Sequence, residues 1–266
     1  MEKVEIGNCT LYCGDAFEII PTLDDGAIDA VISDPPYASH SFGKCTDCDW
    51  DKPVPLAEFW QLLMTKTKPE ANVCLFANMR LAHDLINTNR KGFRYDLVWV
   101  KNNKTGFLNA GMMPMRNHES ILVFGRPGYQ KASTYNPIKF TTGKPSVRRT
   151  KKQKGGVYPP QEAHTVVSDG SRHPCSVWAF NHERDGNKPD KSYHPVQKPT
   201  TLMGALVLQY SNEQDTILDC FMGAGTTAIA AIKLNRKFIG IERERKYFDT
   251  ACKRLDEEMS KWKRAG

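Results

Sequence analysis

Apolar positions fall into two kinds of run that alternate along the chain. Short runs rich in β-branched residues, such as Ala-Ile-Asp-Ala-Val-Ile-Ser before Asp34 and Asn-Val-Cys-Leu-Phe from Asn72, have the look of strands buried on both faces of a parallel sheet. Strands are predicted at residues 9–13, 28–33, 72–76, 95–100, 120–124, 216–220 and 237–241. Between them, apolar residues recur at helical spacing, which predicts helices at 55–67, 79–89, 200–210, 226–234 and 245–263. Alternation of this kind predicts an α/β fold, a mainly parallel seven-stranded sheet with helices on both faces. From 126 to about 191 the rhythm breaks, and Gly, Pro, Lys, Arg and His dominate. That stretch reads as an insertion beside the sheet.

Composition narrows the class. A chain of 266 residues with 40% hydrophobic and 25% charged residues suits one α/β domain with an insertion and lies outside disordered, collagenous and coiled-coil compositions. No apolar run approaches the roughly 18 residues of a membrane span, and the first residues lack a signal peptide's basic-then-apolar order, so a soluble, cytoplasmic protein is expected. The eight cysteines are scattered, several in apolar segments like those of Cys74 and Cys220, as reduced core thiols are. Lys and Arg total 37 against 30 acids, a formal charge of +7. Seven of these bases, and no acid, lie between Lys139 and Lys154, where Gly and Pro interrupt any regular period. Taken alone, such a run is a solvated surface loop.

Two turns carry the candidate chemistry. Asp34-Pro35-Pro36-Tyr37 follows a buried strand, at the carboxyl edge where open α/β sheets keep their ligand crevices. The prolines stiffen the backbone, so Asp34 and the Pro35 carbonyl point outward in a preset arrangement, and Tyr37 offers a flat face. A rigid carboxylate, a carbonyl and an aromatic plane suit a planar group bearing an NH2. The second turn runs from Asp219 through Phe221, Gly223 and Gly225 into a helix opening at Thr226 and Thr227. Glycines there let a ligand approach the backbone, and the helix N-terminus favours a carboxylate. The third glycine of a dinucleotide fingerprint and the lysine of a P-loop are absent, which points to a small adenosyl ligand instead. The next strand ends at Glu242, placed to accept from ribose hydroxyls.

Together these segments resemble the S-adenosylmethionine-dependent amino-methyltransferases of DNA. Asp34 to Tyr37 match their D/N/S-P-P-Y/F/W motif, Asp219 to Thr227 match D-x-F-x-G-x-G-T-T, and Gly240 to Glu242 match the acidic ribose strand. Leu11 to Phe17 match the adenine-contacting segment and His194 to Pro199 an H-P-x-Q-K-P segment. Catalytic motif first and cofactor motif last is the order of the circularly permuted β class, with a Rossmann-like methyltransferase fold. The resemblance implies a catalytic half at 1–125, a target-recognition insertion at 126–191 and a cofactor half at 192–266. It implies catalysis by Asp34, Pro35, Pro36 and Tyr37. S-adenosyl-L-methionine would be bound by Asp15, Ala16, Asp34, Lys198, Thr200, Asp219, Phe221, Gly223, Gly225, Thr226, Thr227 and Glu242. Lys144, Arg148, Arg149, Lys151 and Lys152 would bind the phosphates of double-stranded DNA. A homodimer and a cognate restriction endonuclease are further partners in keeping with such relatives.

Asp at the first motif position goes with adenine N6, and Ser with cytosine N4, so Asp34 favours adenine and leaves N4-cytosine as the alternative. A non-enzymatic DNA-binding module would explain the charge but needs neither turn. Cys45 and Cys48 have the spacing of half a zinc knuckle without a second pair, so no metal is expected. His118-Glu119 reads as an ordinary strand start.

Overall fold

The computed structural model describes residues 2–129, 133–141, 143–157, 159–181, 193 and 196–265, with side chains to 261. His194 and Pro195 of the H-P-x-Q-K-P segment lie outside them. Among the described residues the strands are β1 Glu2–Ile6, β2 Cys9–Cys13, β3 Ile28–Ser33, β4 Thr67–Ala77, β5 Phe93–Thr105, β6 Arg116–Phe124, β7 Phe140–Thr141, β8 Ser146–Arg149, β9 Thr165–Ser168, β10 Ser171–Arg172, β11 Val177–Ala179, β12 Thr216–Asp219 and β13 Lys237–Glu242. The helices are α1 Ala16–Ile19, α2 Leu56–Lys66, α3 Met79–Thr88, α4 Thr200–Tyr210, α5 Thr226–Lys233 and α6 Arg245–Ala265. None is long and apolar enough to cross a membrane. The chain divides into two compact units, Met1–Asn136 with Ser176–Gly266, and Pro137–Cys175.

The first unit is built on one sheet in the order β1-β2-β13-β12-β3-β4-β6-β5-β11. Strands β2, β13, β12, β3 and β4 run parallel to one another, β1 is antiparallel to β2, and β6 lies antiparallel between β4 and β5. All seven expected strands are present, and the sheet gains an edge strand at each end, making nine. Strand β1 escaped notice because three of its five residues are charged and it buries only its last one at an exposed edge, and β11 because it has three residues inside an aperiodic stretch. Trp178 of β11 is nonetheless buried against the core.

Successive strand residues face opposite sides of the sheet, so each side has its own core. Ile32, Cys74, Phe76, Ile121, Val123 and Ile217 pack against α4, α5 and α6. Their chain neighbours Val31, Val73, Leu75, Leu122 and Leu218 pack against α1, α2 and α3. The helix α5, which follows β12, thus covers one face and α2, which follows β3, the other. Because β12 and β3 are adjacent and parallel, their connections diverge at the carboxyl edge and leave a crevice between the strand ends.

The second unit contains two antiparallel strand pairs, β7 with β10 and β8 with β9. The basic run expected as an irregular loop therefore contains β8. An exposed strand pair has no buried face, and so leaves no period to read in the sequence.

Phe59 of α2 is fully buried, with its ring 6.2 Å from Phe17 and 5.9 Å from Phe221. It supports both sides of the crevice from beneath. Phe59→Ala is expected to lower the unfolding free energy by about 3–5 kcal/mol, the usual cost of emptying a buried phenylalanine site, as measured by urea unfolding.

Candidate active site

Ser33, the last residue of β3, donates its hydroxyl to Asp219 Oδ1 at 2.6 Å, joining the ends of β3 and β12. Thr227, in the first turn of α5, donates to Asp219 Oδ2 at 2.6 Å. Asp219 is thereby a buried staple joining strand end, turn and helix. Burial pushes its carboxyl up to about 6, against the pull of these hydrogen bonds. Gly223 and Gly225 hold φ of 52° and 77°, a region that side chains disfavour. A Cβ on Gly225 would also lie 3.0 Å from Ala251, so the turn between β12 and α5 requires glycine there for packing as well as backbone.

Glu242, at the end of β13, curls under that turn. Its carboxylate accepts from Gly223 N at 2.9 Å and Glu244 N at 2.7 Å, and burial raises it to about 6. The backbone of Gly14 donates to the carbonyl of Glu242 at 3.0 Å, bringing the end of β2 alongside. Asp15 then caps α1 by accepting from Phe17 N at 2.8 Å.

These elements open on one cavity of about 960 Å³. Asp15, Ala16, Asp34, Pro35, Pro36, Tyr37, Lys198, Thr200, Asp219, Phe221, Gly223, Thr226, Thr227 and Glu242 all line it. Gly225 does not; it shapes the helix start behind the wall. Residues 217 and 218 pair with 30 and 31, so strand register brings the two motifs together, and the Ser33–Asp219 bond, 186 residues apart, ties them.

Around Asp34 lies a network that the sequence reading missed. Lys198 Nζ donates to Asp34 Oδ2 at 2.5 Å and lies 3.3 Å from Glu119 Oε2. Glu119 also accepts from Lys101 Nζ at 2.7 Å and from the Tyr37 hydroxyl at 2.8 Å. The lysine ammonium sits 5.3 Å from the Tyr37 ring centroid and 5.1 Å from that of Phe76. Burial opposes the charge on Glu119, yet Lys198, Lys101 and the Tyr37 hydroxyl overcome it and hold the carboxyl at about 2. Burial likewise opposes the charge on Lys198, and the two carboxylates overcome it, raising its pKa. For Asp34 burial prevails and the carboxyl is raised, with Glu119 adding to the effect and Lys198 opposing it. Asp34 Oδ1 is buried and has no hydrogen-bond partner among the described residues. The signal for this network lay in Lys101 and Glu119, an opposite-charge pair interrupting the apolar runs of two strands.

The segment after Tyr37 folds around two other carboxylates. Buried Asp51 accepts from the backbone of Ala38 and Cys45, at 2.8 and 2.9 Å, and Asp84 accepts from the hydroxyls of Ser39 and Ser41, each at 2.6 Å. This ordered loop forms the outer cavity wall through Cys45, Thr46, Trp50 and Lys52. Among the described residues no cluster of three or more His, Cys, Asp or Glu is arranged to hold a metal. In the second unit Lys144, Arg148, Arg149, Lys151 and Lys152 are all exposed. Their run contains no acid, but Lys152 is paired with Glu162 from outside it, at 2.6 Å.

A family model described as DNA methylase matches residues 28–253. The chain is 28% identical to the type II methyltransferase M.HpaI of Haemophilus parainfluenzae, over 94% of this chain and 75% of that one. It is also 28% identical to M.HinfI of Haemophilus influenzae, over 93% and 68%. Among solved structures it is similar to M1.HpyAVI in complex with SAM, with a TM-score of 0.60 and 27% identity over 92% of this chain and 99% of that one. The PvuII cytosine-N4-specific DNA methyltransferase shares the fold, with a TM-score of 0.66 at 15% identity, over 97% and 93% of the two chains.

Since Asp219 titrates near 6 when folded, against an ordinary 3.8, the folded chain holds its proton more tightly than the unfolded one. The stabilisation this gives is complete below about pH 4 and is lost as pH rises through 6, a change of about 3 kcal/mol at about 1.4 kcal/mol per pKa unit. Asp219→Asn keeps the shape without the titration. In urea unfolding from pH 4 to pH 7, the stability advantage of wild type over this variant should shrink by about that amount, the shared Glu242 cancelling.

Proposed function

The chain belongs to the DNA methylase family, and from that premise we propose that it transfers a methyl group from S-adenosylmethionine to the exocyclic N6 of an adenine flipped out of duplex DNA. The observation that carries this reading is Asp34 Oδ1, a buried acceptor on the cavity wall left without a donor. A buried acceptor of that kind is costly unless a ligand completes it. An exocyclic amine supplies the missing N–H.

That amine is a poor nucleophile because its lone pair is delocalised into the ring. Acceptance of its hydrogens by Asp34 and the Pro35 carbonyl orients the nitrogen and directs the lone pair, a matter of placement and electrostatics. Tyr37 offers its face to the base, and the bond from its hydroxyl to Glu119 keeps the ring from rotating away. Extrusion from the duplex costs a few kcal/mol, which such stacking and hydrogen bonding offset. S-adenosylmethionine supplies the methyl group on a sulfonium. The residues for holding it fit: Glu242 closes the turn beneath Gly223 and faces the cavity for the ribose, with Asp15, Ala16 and Phe221 beside it. Lys198 is occupied by two carboxylates, so the N-terminus of α5 at Thr226 is the better place for the methionine carboxylate.

Asp in the first position of the motif favours adenine over cytosine N4. Mass spectrometry of nucleosides from DNA methylated by the protein is expected to find N6-methyladenine; N4-methylcytosine would overturn the choice of base. Asp34→Ala should lower turnover by at least about 10²–10³-fold, the scale of losing one acceptor or donor at the reacting group, with the fold intact by circular dichroism. Near-normal transfer of radiolabelled methyl by this variant would sink the assignment.

The exposed bases of the second unit suit the phosphates of duplex DNA. Replacing Arg148, Arg149, Lys151 and Lys152 together by Ala should weaken binding to all sequences alike and flatten its salt dependence by about one unit of log–log slope per lost contact. Since Lys152 is paired with Glu162, the expected change is about three units rather than four. A wild-type slope, measured by fluorescence anisotropy across a salt series, rejects the contact.

A further inference from the structure

We propose that Glu119 is a positioning residue for methyl transfer: it holds Lys198 and Tyr37 so that Asp34 commits one oxygen to the lysine and keeps the other for the target amine. The inference rests on the reading of the cleft given above.

The geometry is that of an ammonium held between two carboxylates. Lys198 has three N–H groups; one meets Asp34 Oδ2 at 2.5 Å and the nitrogen lies 3.3 Å from Glu119 Oε2. Its side chain is 7% exposed, so the two carboxylates are its chief partners. With Asp34 as its sole carboxylate, the ammonium would settle between both Asp34 oxygens and occupy the acceptor that the amine needs. Glu119 draws it to the other side. The same Glu119 oxygen receives the Tyr37 hydroxyl, which sets the plane on which the base stacks. Lys101, on the strand beside Glu119, binds the second oxygen and balances its charge. Two carboxylates and two ammonium groups thus make a neutral wall, within which the placement of one proton donor decides which Asp34 oxygen is open. No atom of Glu119 need touch the base for this role.

The charged and titratable groups facing Asp34 are Lys198, Glu119 and Tyr37, with Asp219 acting at longer range; those facing Glu119 are Lys101, Lys198, Tyr37 and Asp34. Glu119 raises the pKa of Asp34, so removing its negative charge is expected to lower it; removing the positive charge of Lys101, which balances Glu119, is expected to raise it. The two substitutions therefore move one observable in opposite directions, which a packing role does not do.

The test compares wild type, Glu119→Gln, Glu119→Asp and Lys101→Met. Carbon-13 NMR of labelled aspartate in the free proteins, with Asp34 identified by its absence from Asp34→Asn, reads the titration directly. The midpoint is expected to fall in Glu119→Gln and rise in Lys101→Met. In methylation assays Glu119→Gln should lose about 10²-fold in kcat, the scale of a misplaced reacting group, while affinities for S-adenosylmethionine and DNA hold. Glu119→Asp, which keeps the charge, should retain more activity than the isosteric Gln. An unmoved Asp34 midpoint, a loss confined to binding, or Gln outperforming Asp overturns the proposal. Should Glu119→Gln not fold, the sign of the Lys101→Met shift decides alone. Wild-type protein that methylates no DNA overturns the functional reading instead, and the midpoints still decide whether Glu119 is coupled to Asp34.

Discussion

The joint between Ser33 and Asp219 is the constraint on which the rest of the site depends. It links strand ends 186 residues apart in sequence at the point where the sheet's connections diverge. Because Thr227 takes the other oxygen of Asp219, the strand end, the glycine turn and the first turn of α5 move as one body. A buried, hydrogen-bonded carboxylate is rigid in a way that a solvated one is not, since each lost partner leaves a buried lone pair. The β12–α5 side and the β3 side of the cleft are thereby held in register by one side chain.

A second constraint is electrostatic. Buried ion pairs are weak sources of stability because desolvation cancels most of the attraction. The four charges at Asp34, Lys198, Glu119 and Lys101 are better understood as a means of fixing the orientation of one another's side chains on the cavity wall. Two carboxylates and two ammonium groups balance within that wall. The asymmetry within it, one Asp34 oxygen bound and one bare, gives the wall its direction.

What the sequence disclosed and what it concealed divide along the range of the interactions. The two turns were legible because Pro35, Pro36, Gly223 and Gly225 impose their backbone geometry locally, and Ile28 to Ser33 declares a buried strand by composition. Helix α4 was legible to the residue, bounded by Pro199 before it and by Ser211 after. Glu119 was not legible, because its meaning depends on β6 being inserted antiparallel beside β5, which brings it next to Lys101 and beneath Tyr37. The same holds for Asp51 and Asp84, whose partners in residues 38–46 are reached only after the loop closes. Strand β8 was hidden for a different reason: with no buried face, its four residues carry no alternation to detect.

The order of motifs along the chain matters little once the sheet has formed. A ligand crevice at the carboxyl edge requires adjacent parallel strands whose connections leave in opposite directions, and β3 and β12 satisfy that whichever is made first. Placing β3 early and β12 late has one structural consequence. The chain must travel from β6 to α4 between them, and that passage contains a compact unit of its own, Pro137–Cys175, in which Lys144, Arg148, Arg149, Lys151 and Lys152 are exposed. Substitutions there can alter surface charge without touching either core, whereas a change at Ser33, Asp219 or Thr227 disturbs strand, turn and helix at once. Surface charge in the second unit is thus separated in the sequence from the joint that fixes β3, β12 and α5.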